Sequence, residues 1–252
     1  MLTSFIQLYG NLYYIPLYFI SVRDFSPIRT GIALFPVLFS LLPSAIVVGN
    51  LISRFNAFRG AIWAGWVVTT LVSGLMLLWN EHTPTAVWAT ILVIGGIGHG
   101  LLLNGQNIAA QAICKPRDEG AAATMYALLR GFGMAVGVAI GGSIFQNVMK
   151  IKLRQLGLPE EIANQAESYI PVLHQLPDGL PLKESLMSAY VYGLHGVYGS
   201  FCGIAGLAGL VSILLQHYDL NRKLEGEHTL ETTAWPIPNV SKSERHDHAS
   251  SR

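Results

Sequence analysis

Three amide side chains lie on one face of a predicted helix that is otherwise apolar. At 100° per residue, Asn104, Asn107 and Gln111 fall, together with Gly100, within an arc of about 60°. Amides are costly in hydrocarbon unless they face a cavity or another helix. We predict a substrate pathway lined by neutral hydrogen-bonding groups. The alternative is a set of interhelical hydrogen bonds that only holds the bundle together.

The next predicted helix carries an arginine on a face of small residues. Arg130, Gly133, Gly137 and Gly141 share an arc of about 80°. Small residues at this spacing let a second helix approach closely, so the glycines predict a packing face. On that face, Arg130 is predicted to pair with an anionic group of a substrate or with a carboxylate. The alternative is that its charge extends to the cytosolic interface.

Histidine and tyrosine side chains supply the remaining candidates. No Asp or Glu lies within any predicted span, so His99 and His195 are the titratable candidates there for a proton relay, with a structural hydrogen-bonding role as the alternative. An aromatic cluster near the start of the chain includes Tyr13 and Tyr14, beside a helix bend predicted at Pro16. This cluster could line a pocket for a flat apolar ligand or form part of an interfacial belt.

Composition indicates that lipid surrounds the elements that position these side chains. The 252 residues are 51% hydrophobic and 12% charged, and their mean hydropathy is +0.42. A soluble domain is about a quarter charged. We therefore predict an all-α polytopic membrane protein, because each apolar stretch can cross a hydrocarbon core of roughly 30 Å. The six predicted transmembrane helices cover about residues 2–20, 31–53, 60–79, 87–112, 121–148 and 188–216.

Charge distribution predicts the orientation of these spans. One set of connections carries unbalanced positive charge and is placed in the cytosol with both termini; it holds Arg54, Arg59, Lys115, Arg117, Arg222 and Lys223. The loop 150–187 is predicted to be an amphipathic extracytosolic cap, with helix breaks at Pro171, Pro177 and Pro181. The polar tail 219–252 is predicted to be disordered.

Enzyme chemistry is not indicated. The sequence has no nucleophile motif, phosphate loop or nucleotide-binding signature, and it suggests no cofactor. Cys114 and Cys202 lie far apart without metal-ligand spacing, so no metal site is predicted. A formal net charge of +1 does not suggest nucleic acid as a partner.

Several segments, taken in order along the chain, resemble one family of carriers. They include Tyr13-Tyr14-Ile15-Pro16-Leu17-Tyr18-Phe19, Gly31-Ile32-Ala33-Leu34-Phe35-Pro36, Gly95-Gly96-Ile97-Gly98-His99-Gly100, Leu129-Arg130-Gly131-Phe132-Gly133 and Phe145-Gln146-Asn147. Over roughly residues 5–218 the chain resembles the C-terminal six-span half of fourteen-span drug:proton antiporters of the major facilitator superfamily, and it is most similar to fungal members. A complete carrier of that family has eight more spans before the position of Tyr13.

The resemblance implies a membrane transporter that exports a small hydrophobic compound, such as a drug, toxin or secondary metabolite, with proton coupling. Such a protein is expected in the plasma membrane rather than the vacuolar membrane. Its partners would be the lipid bilayer, a small-molecule substrate and a second copy in a parallel homodimer that buries the amide stripe. The alternative is a non-transporting remnant or a regulatory membrane protein that lacks the N-terminal half.

Overall fold

Helices account for the regular structure of the described chain. The computed structural model describes residues 1–55, 58–114, 118–177 and 179–214. The predicted tail 219–252 lies outside these residues. The described helices, with no strand among them, are α1 (Leu2–Ser21), α2 (Pro27–Ala33), α3 (Phe35–Phe55), α4 (Phe58–Met76), α5 (Thr85–Ile113), α6 (Glu119–Gln155), α7 (Glu161–Asn164), α8 (Ala166–Gln175) and α9 (Pro181–Ser212).

The six long helices lie where the apolar stretches are, but some of their ends differ from the predicted spans. Helix α6 continues to Gln155, beyond the predicted end at about residue 148. Its last turn carries Lys152 and Arg154, which stabilise a helix C-terminus. Helix α9 begins at Pro181, before the predicted start at about residue 188. Charged residues therefore limit the apolar stretch without ending the helix.

Four helical segments within the described residues are long and apolar enough to cross a membrane: Pro27–Ile52, Thr85–Gln111, Gly120–Gln155 and Pro181–Ser212. The first of these combines α2 and α3, whose junction at Leu34 keeps a helical backbone. Helices α1 and α4, at the other two predicted spans, are 20 and 19 residues long. Buried polar residues such as Gln7 and Asn11 lower the hydropathy of α1. That the chain crosses the membrane six times therefore stays a prediction.

Helix packing leaves α1 and α5 with several neighbours each. Helix α5 packs against both α3 and α4, and α9 packs against α4, α6 and α1. Helix α1 lies against α6 and α9 and makes a smaller contact with α5. A large hydrophobic core includes Phe19, Trp79 and Tyr198, while a smaller one surrounds Trp66 and Leu102. These contacts fix the sides of α1 and α5 that carry the candidate residues.

The predicted cap, residues 150–187, is largely helical. Gly157 has φ +67 and ends α6, because its N–H and that of Leu158 bond to the Arg154 and Leu153 carbonyls, 3.2 Å and 3.0 Å away. The helix break predicted at Pro171 is wrong, since Pro171 lies inside α8. Helix α8 is fixed to the end of α1, where the His174 ring nitrogen Nε2 lies 2.9 Å from the Ile20 carbonyl oxygen and 3.2 Å from the Asp24 carboxylate.

Candidate functional site

The amide stripe of α5 is divided between two environments. Gly100 and Asn104 face α3, where the Asn104 amide donates to the Ala45 carbonyl. One turn further on, the half-buried Asn107 accepts a hydrogen bond of 3.1 Å from the exposed Gln111. Asn104 therefore makes the kind of interhelical bond that the alternative interpretation describes. Asn107 and Gln111 bond to each other on a less buried part of the helix.

The glycine face of α6 lies against α1. A Cβ atom at Gly133 would come within 3 Å of the Phe5 side chain, and one at Gly137 would meet the backbone of Ile6. At Gly141 it would meet the ring of Tyr14. All three glycines are buried. Two helices can approach this closely only where side chains are absent, so the glycines set the position of α1 on α6.

Arg130 reaches a tyrosine of α1 rather than a carboxylate. Its Nε donates to the hydroxyl of Tyr9, and its guanidinium carbon lies 5.6 Å from the centre of the same ring. The Arg130 side chain is exposed on the surface of the described helices. A guanidinium has five N–H donors, so this arrangement leaves donors for a further partner. No paired carboxylate is seen for Arg130 among the described residues.

Tyr13 and Tyr14 have different surroundings although they are adjacent. Tyr13 is 41% exposed, and its hydroxyl donates to Glu167 of α8 over 2.7 Å. Tyr14 is buried, and its hydroxyl donates to the Val138 carbonyl of α6 over 3.0 Å. A cavity of about 210 Å³ lies between Tyr14, Phe145 and Glu167. The aromatic cluster thus contributes to the surface at Tyr13 and to packing at Tyr14.

Tyr9 and Tyr13 form a strip on α1 with a charged residue bonded to each. They lie four residues apart, about 6 Å along the helix. Tyr9 accepts from the cation Arg130, and Tyr13 donates to the anion Glu167. We call these four residues the α1 strip. It offers a ligand aromatic rings, a guanidinium and a carboxylate on one exposed side of α1.

The two histidines bond to backbone carbonyls. His99 is buried, and its Nδ1 lies 2.8 Å from the Gly95 carbonyl oxygen in the preceding turn. His195 is half-buried, and its Nε2 lies 2.7 Å from the Trp79 carbonyl oxygen just beyond α4. Each ring therefore has one nitrogen in a hydrogen bond to a backbone carbonyl. The structure does not bring the two histidines into contact with each other.

Buried polar residues of α1 form a group that the sequence analysis did not identify. Ser4, Gln7 and Asn11 are each at most 3% exposed. Ser4 bonds to the buried Gln106 of α5, and the Gln7 amide donates to Ser73 of α4 over 3.0 Å. Residues 4, 7 and 11 are spaced so that they share one helix face, and this spacing of polar residues could have predicted a buried polar face.

Ligand sets for metals are absent from the part of the chain that the structure describes. Within residues 1–55, 58–114, 118–177 and 179–214, no group of three or more His, Cys, Asp or Glu side chains is placed to hold a metal ion.

Comparison with known proteins connects these features to a family. The family profile of the Major Facilitator Superfamily matches residues 1–138. "MFS transporter L2" of Phoma sp. is 34% identical over 226 residues, covering 88% of this chain and 38% of that protein. "MFS efflux transporter aclA" of Aspergillus oryzae is 35% identical over 133 residues, covering 53% of this chain and 24% of that protein. "Citrate exporter 1" of Yarrowia lipolytica is 26% identical over 193 residues, covering 75% of this chain and 28% of that protein.

Proposed function

The chain belongs to the major facilitator superfamily, and from this premise we propose that it takes part in proton-coupled efflux of a small hydrophobic compound. Membership and the apolar helices identify it as an integral, multi-pass membrane protein of a transporter family. The chain spans 38% of the length of the Phoma transporter that it resembles. The activity of the complete relative is therefore extended to this chain only as a proposal.

The α1 strip is the observation that best supports a substrate pathway. Arg130 lies well inside a long apolar helix, yet it is exposed beside the ring of Tyr9. A charge at this depth is costly in lipid, so such residues usually face a bundle interior or a water-filled pathway. Flat apolar substrates can stack on Tyr9 and Tyr13, while Arg130 suits an anionic group. Two relatives are named for efflux and for citrate export.

The amides of α5 extend the proposed pathway only in part. Asn107 and Gln111 keep hydrogen-bonding capacity beyond the bond that joins them, so we assign them to the pathway. Asn104 donates to the Ala45 carbonyl and is assigned a structural role. Replacement by leucine should distinguish the two roles. At a pathway position an apolar side chain is well accommodated in a membrane bundle, whereas at Asn104 it removes an interhelical hydrogen bond.

Dye export from yeast cells that express the chain tests this assignment. Asn107→Leu and Gln111→Leu should abolish export of a hydrophobic fluorescent dye while the amount of folded protein stays nearly constant. Asn104→Leu should instead lower the amount of folded protein. The matched control is Asn147→Leu, which makes the same change at an exposed position of α6. Unchanged export in the Asn107 and Gln111 variants would contradict the pathway.

Arg130→Lys tests how the α1 strip recognises a ligand. Lysine keeps the charge but loses the planar arrangement of donors, so recognition by two parallel bonds should fail. Export should fall in this variant, while gel filtration should show the same folded protein. Unchanged export would exclude two-bond recognition at this position.

Proton coupling is proposed to involve His99 or His195. Reconstituted vesicles with an imposed pH gradient should accumulate dye, and His99→Gln or His195→Gln should remove the dependence on the gradient. Glutamine can still donate to the carbonyl partners, so the variants should remain folded. A gradient dependence that survives in both variants would exclude these histidines as proton carriers.

Orientation follows from the positive charges of the connections. We propose that both termini are cytosolic, in the plasma membrane, and that residues 80–84 lie outside the cell. With Cys114 and Cys202 replaced by serine, a cysteine at Asn80 should react with an impermeant reagent on intact cells. A cysteine at Asn56 should be protected. The reverse pattern would invert the proposed topology.

A parallel homodimer is proposed as the assembly. In the 18-residue apolar windows of the segments Pro27–Ile52 and Gly120–Gln155, only 17% and 22% of the residues are buried in the described bundle. In this superfamily two similarly oriented halves are related by an axis along the membrane normal, and a cyclic dimer reproduces that relation. Mass measurement in mild detergent should give a dimer. A monomer that exports dye after reconstitution would contradict this assembly.

A further inference from the structure

Asn11 and His99 face the same small cavity inside the helix bundle. The cavity has a volume of about 10 Å³ and lies between α1, α3, α4 and α5. Asn11 is 3% exposed and His99 is 5% exposed. The other lining residues are leucine, isoleucine, valine, methionine and glycine, and they include Met76 and Val72 of α4. Two polar side chains thus line a cavity whose other walls are apolar.

The hydrogen bonds of these two side chains define what the cavity can bind. The Gly95 carbonyl only accepts, so His99 Nδ1, 2.8 Å away, must carry the hydrogen. In the neutral ring, Nε2 is then a hydrogen-bond acceptor. His99 Nε2 is buried and has no partner, and neither does the amide nitrogen or the carbonyl oxygen of Asn11. Asn11 and His99, which both line the cavity, therefore carry two acceptors and one donor group without a partner among the described residues.

We propose that this cavity binds one water molecule, which joins α1 to α5 through Asn11 and His99. The water donates one hydrogen bond to His99 Nε2, and it donates to or accepts from the amide of Asn11. A water needs two or more polar partners, and a cavity of about 10 Å³ is at the lower end of the volume that holds one. The lining contains no Asp, Glu, Lys or Arg, and a neutral water molecule suits these uncharged polar partners.

The neighbouring turn of α1 continues this arrangement. Gln7 lies four residues before Asn11, on the same side of the helix, and its Oε1 is also buried without a partner. Its Nε2 donates to Ser73 of α4. Polar atoms therefore follow α1 from Gln7 to the proposed water. A water can exchange hydrogen-bond partners, so α1 can shift against α5 without leaving a buried polar atom unpaired.

Radiolytic hydroxyl-radical footprinting of the whole chain in lipid nanodiscs tests the proposal. Radicals form from bound water and oxidise the side chains next to it, and methionine is a sensitive reporter. Met76 lines the cavity, whereas Met149 is equally buried and does not line it. We expect several-fold faster oxidation of Met76 than of Met149. Equal protection of the two methionines would overturn the proposal.

Removal of the polar partner gives the second comparison. In Asn11→Leu the larger apolar side chain should fill the cavity, and oxidation of Met76 should fall to the level of Met149. Asn147→Leu, the same change on an exposed part of α6, should leave Met76 oxidation as in the unmodified chain. Fast Met76 oxidation that persists in Asn11→Leu, with Met149 still protected, would show that Asn11 does not hold the water. The unmodified chain provides an independent test if Asn11→Leu fails to fold.

Discussion

Helix α1 contacts its neighbours in two different ways. On the side of α6 the contact is made by backbone and glycines, with Gly133, Gly137 and Gly141 facing Phe5, Ile6 and Tyr14. On the side of α4 and α5 it is made by buried polar side chains, which include Ser4, Gln7 and Asn11. The first contact depends on shape and the second on hydrogen bonds. One helix can therefore be positioned by two kinds of interaction that should respond to different mutations.

The two contacts of α1 should tolerate different substitutions. The glycine contact has no space for an added side chain. A larger residue there should therefore destabilise the fold, whether the residue is polar or apolar. The polar contact has unsatisfied groups at Gln7 and Asn11. Where two side chains bond to each other in this contact, replacing both by apolar groups should change the free energy of unfolding little. Replacing only one should be costly, because the other is then a buried polar group without a partner.

The largest effect is expected at Gly137, and it would test the contact by shape. In Gly137→Leu a side chain would meet the backbone of Ile6, which cannot move aside like a flexible side chain. Overpacking costs about 1–3 kcal/mol and occasionally more, and we expect the upper end of this range. Thermal unfolding in detergent, followed by gel filtration, measures the loss.

Gly131→Leu is the matched control for this prediction. Gly131 lies on the same helix, and a Cβ atom there has no neighbour within 4 Å. Its unfolding temperature should stay close to that of the unmodified chain. If both variants lose the same stability, a general effect on α6 and not the contact with α1 is responsible.

An intermediate effect is expected at the Gln7–Ser73 pair, and it would sharpen the contrast. Ser73→Ala leaves the Gln7 amide with only a long bond of 3.4 Å to the Thr69 carbonyl, which should cost about 1–3 kcal/mol. The double variant Gln7→Leu with Ser73→Ala removes both partners and should recover most of that loss. Unfolding free energies in bicelles measure the cycle. If the two substitutions lower the free energy of unfolding additively, the polar contact depends on packing, as the glycine contact does, and not on the hydrogen bond.

The smallest effect is expected at the exposed ion pair between Arg154 and Glu160, where the contact is made by charge. The Arg154 guanidinium donates to the Glu160 carboxylate over 2.8 Å and 3.0 Å, which holds the pKa of Glu160 below its ordinary value of 4.5. Since the folded pKa is depressed, the stabilisation is present above pH 4.5 and is lost as the pH falls below it. The effect should be small, because exposed ion pairs contribute little.

Glu160→Gln should remove this small step from a plot of unfolding temperature against pH, and the neighbouring Glu161→Gln should retain it. A large step at Glu160 would contradict the ranking of the three kinds of contact. The measurement needs a detergent whose own charge does not change between pH 7 and pH 3.

Sequence reasoning located the long helices because apolar stretches reflect contact with lipid directly. It misplaced the end of α6, since the helix continues through the charged residues Lys152 and Arg154, which do not interrupt its backbone hydrogen bonds. The arc calculation grouped Gly133, Gly137 and Gly141, since the period of one helix determines which residues share a face. The partner of that face depends on how different helices pack, which no single-helix pattern contains. For the same reason an interhelical bond of Asn104 could be given only as an alternative, and its partner helix α3 could not be predicted.

The buried polar side of α1 has a consequence for the order of synthesis. Ser73 follows Gln7 by 66 residues and Gln106 follows Ser4 by 102 residues. At about 5–20 residues per second, α1 waits on the order of several seconds before α4 and α5 leave the ribosome. During this time Ser4 and Gln7 lack the partners that they have on α5 and α4, and lipid cannot satisfy their polar groups. The polar side of α1 is therefore satisfied by other groups before α4 is made, and site-specific crosslinking from Gln7 in nascent chains of increasing length would show when α4 becomes its neighbour.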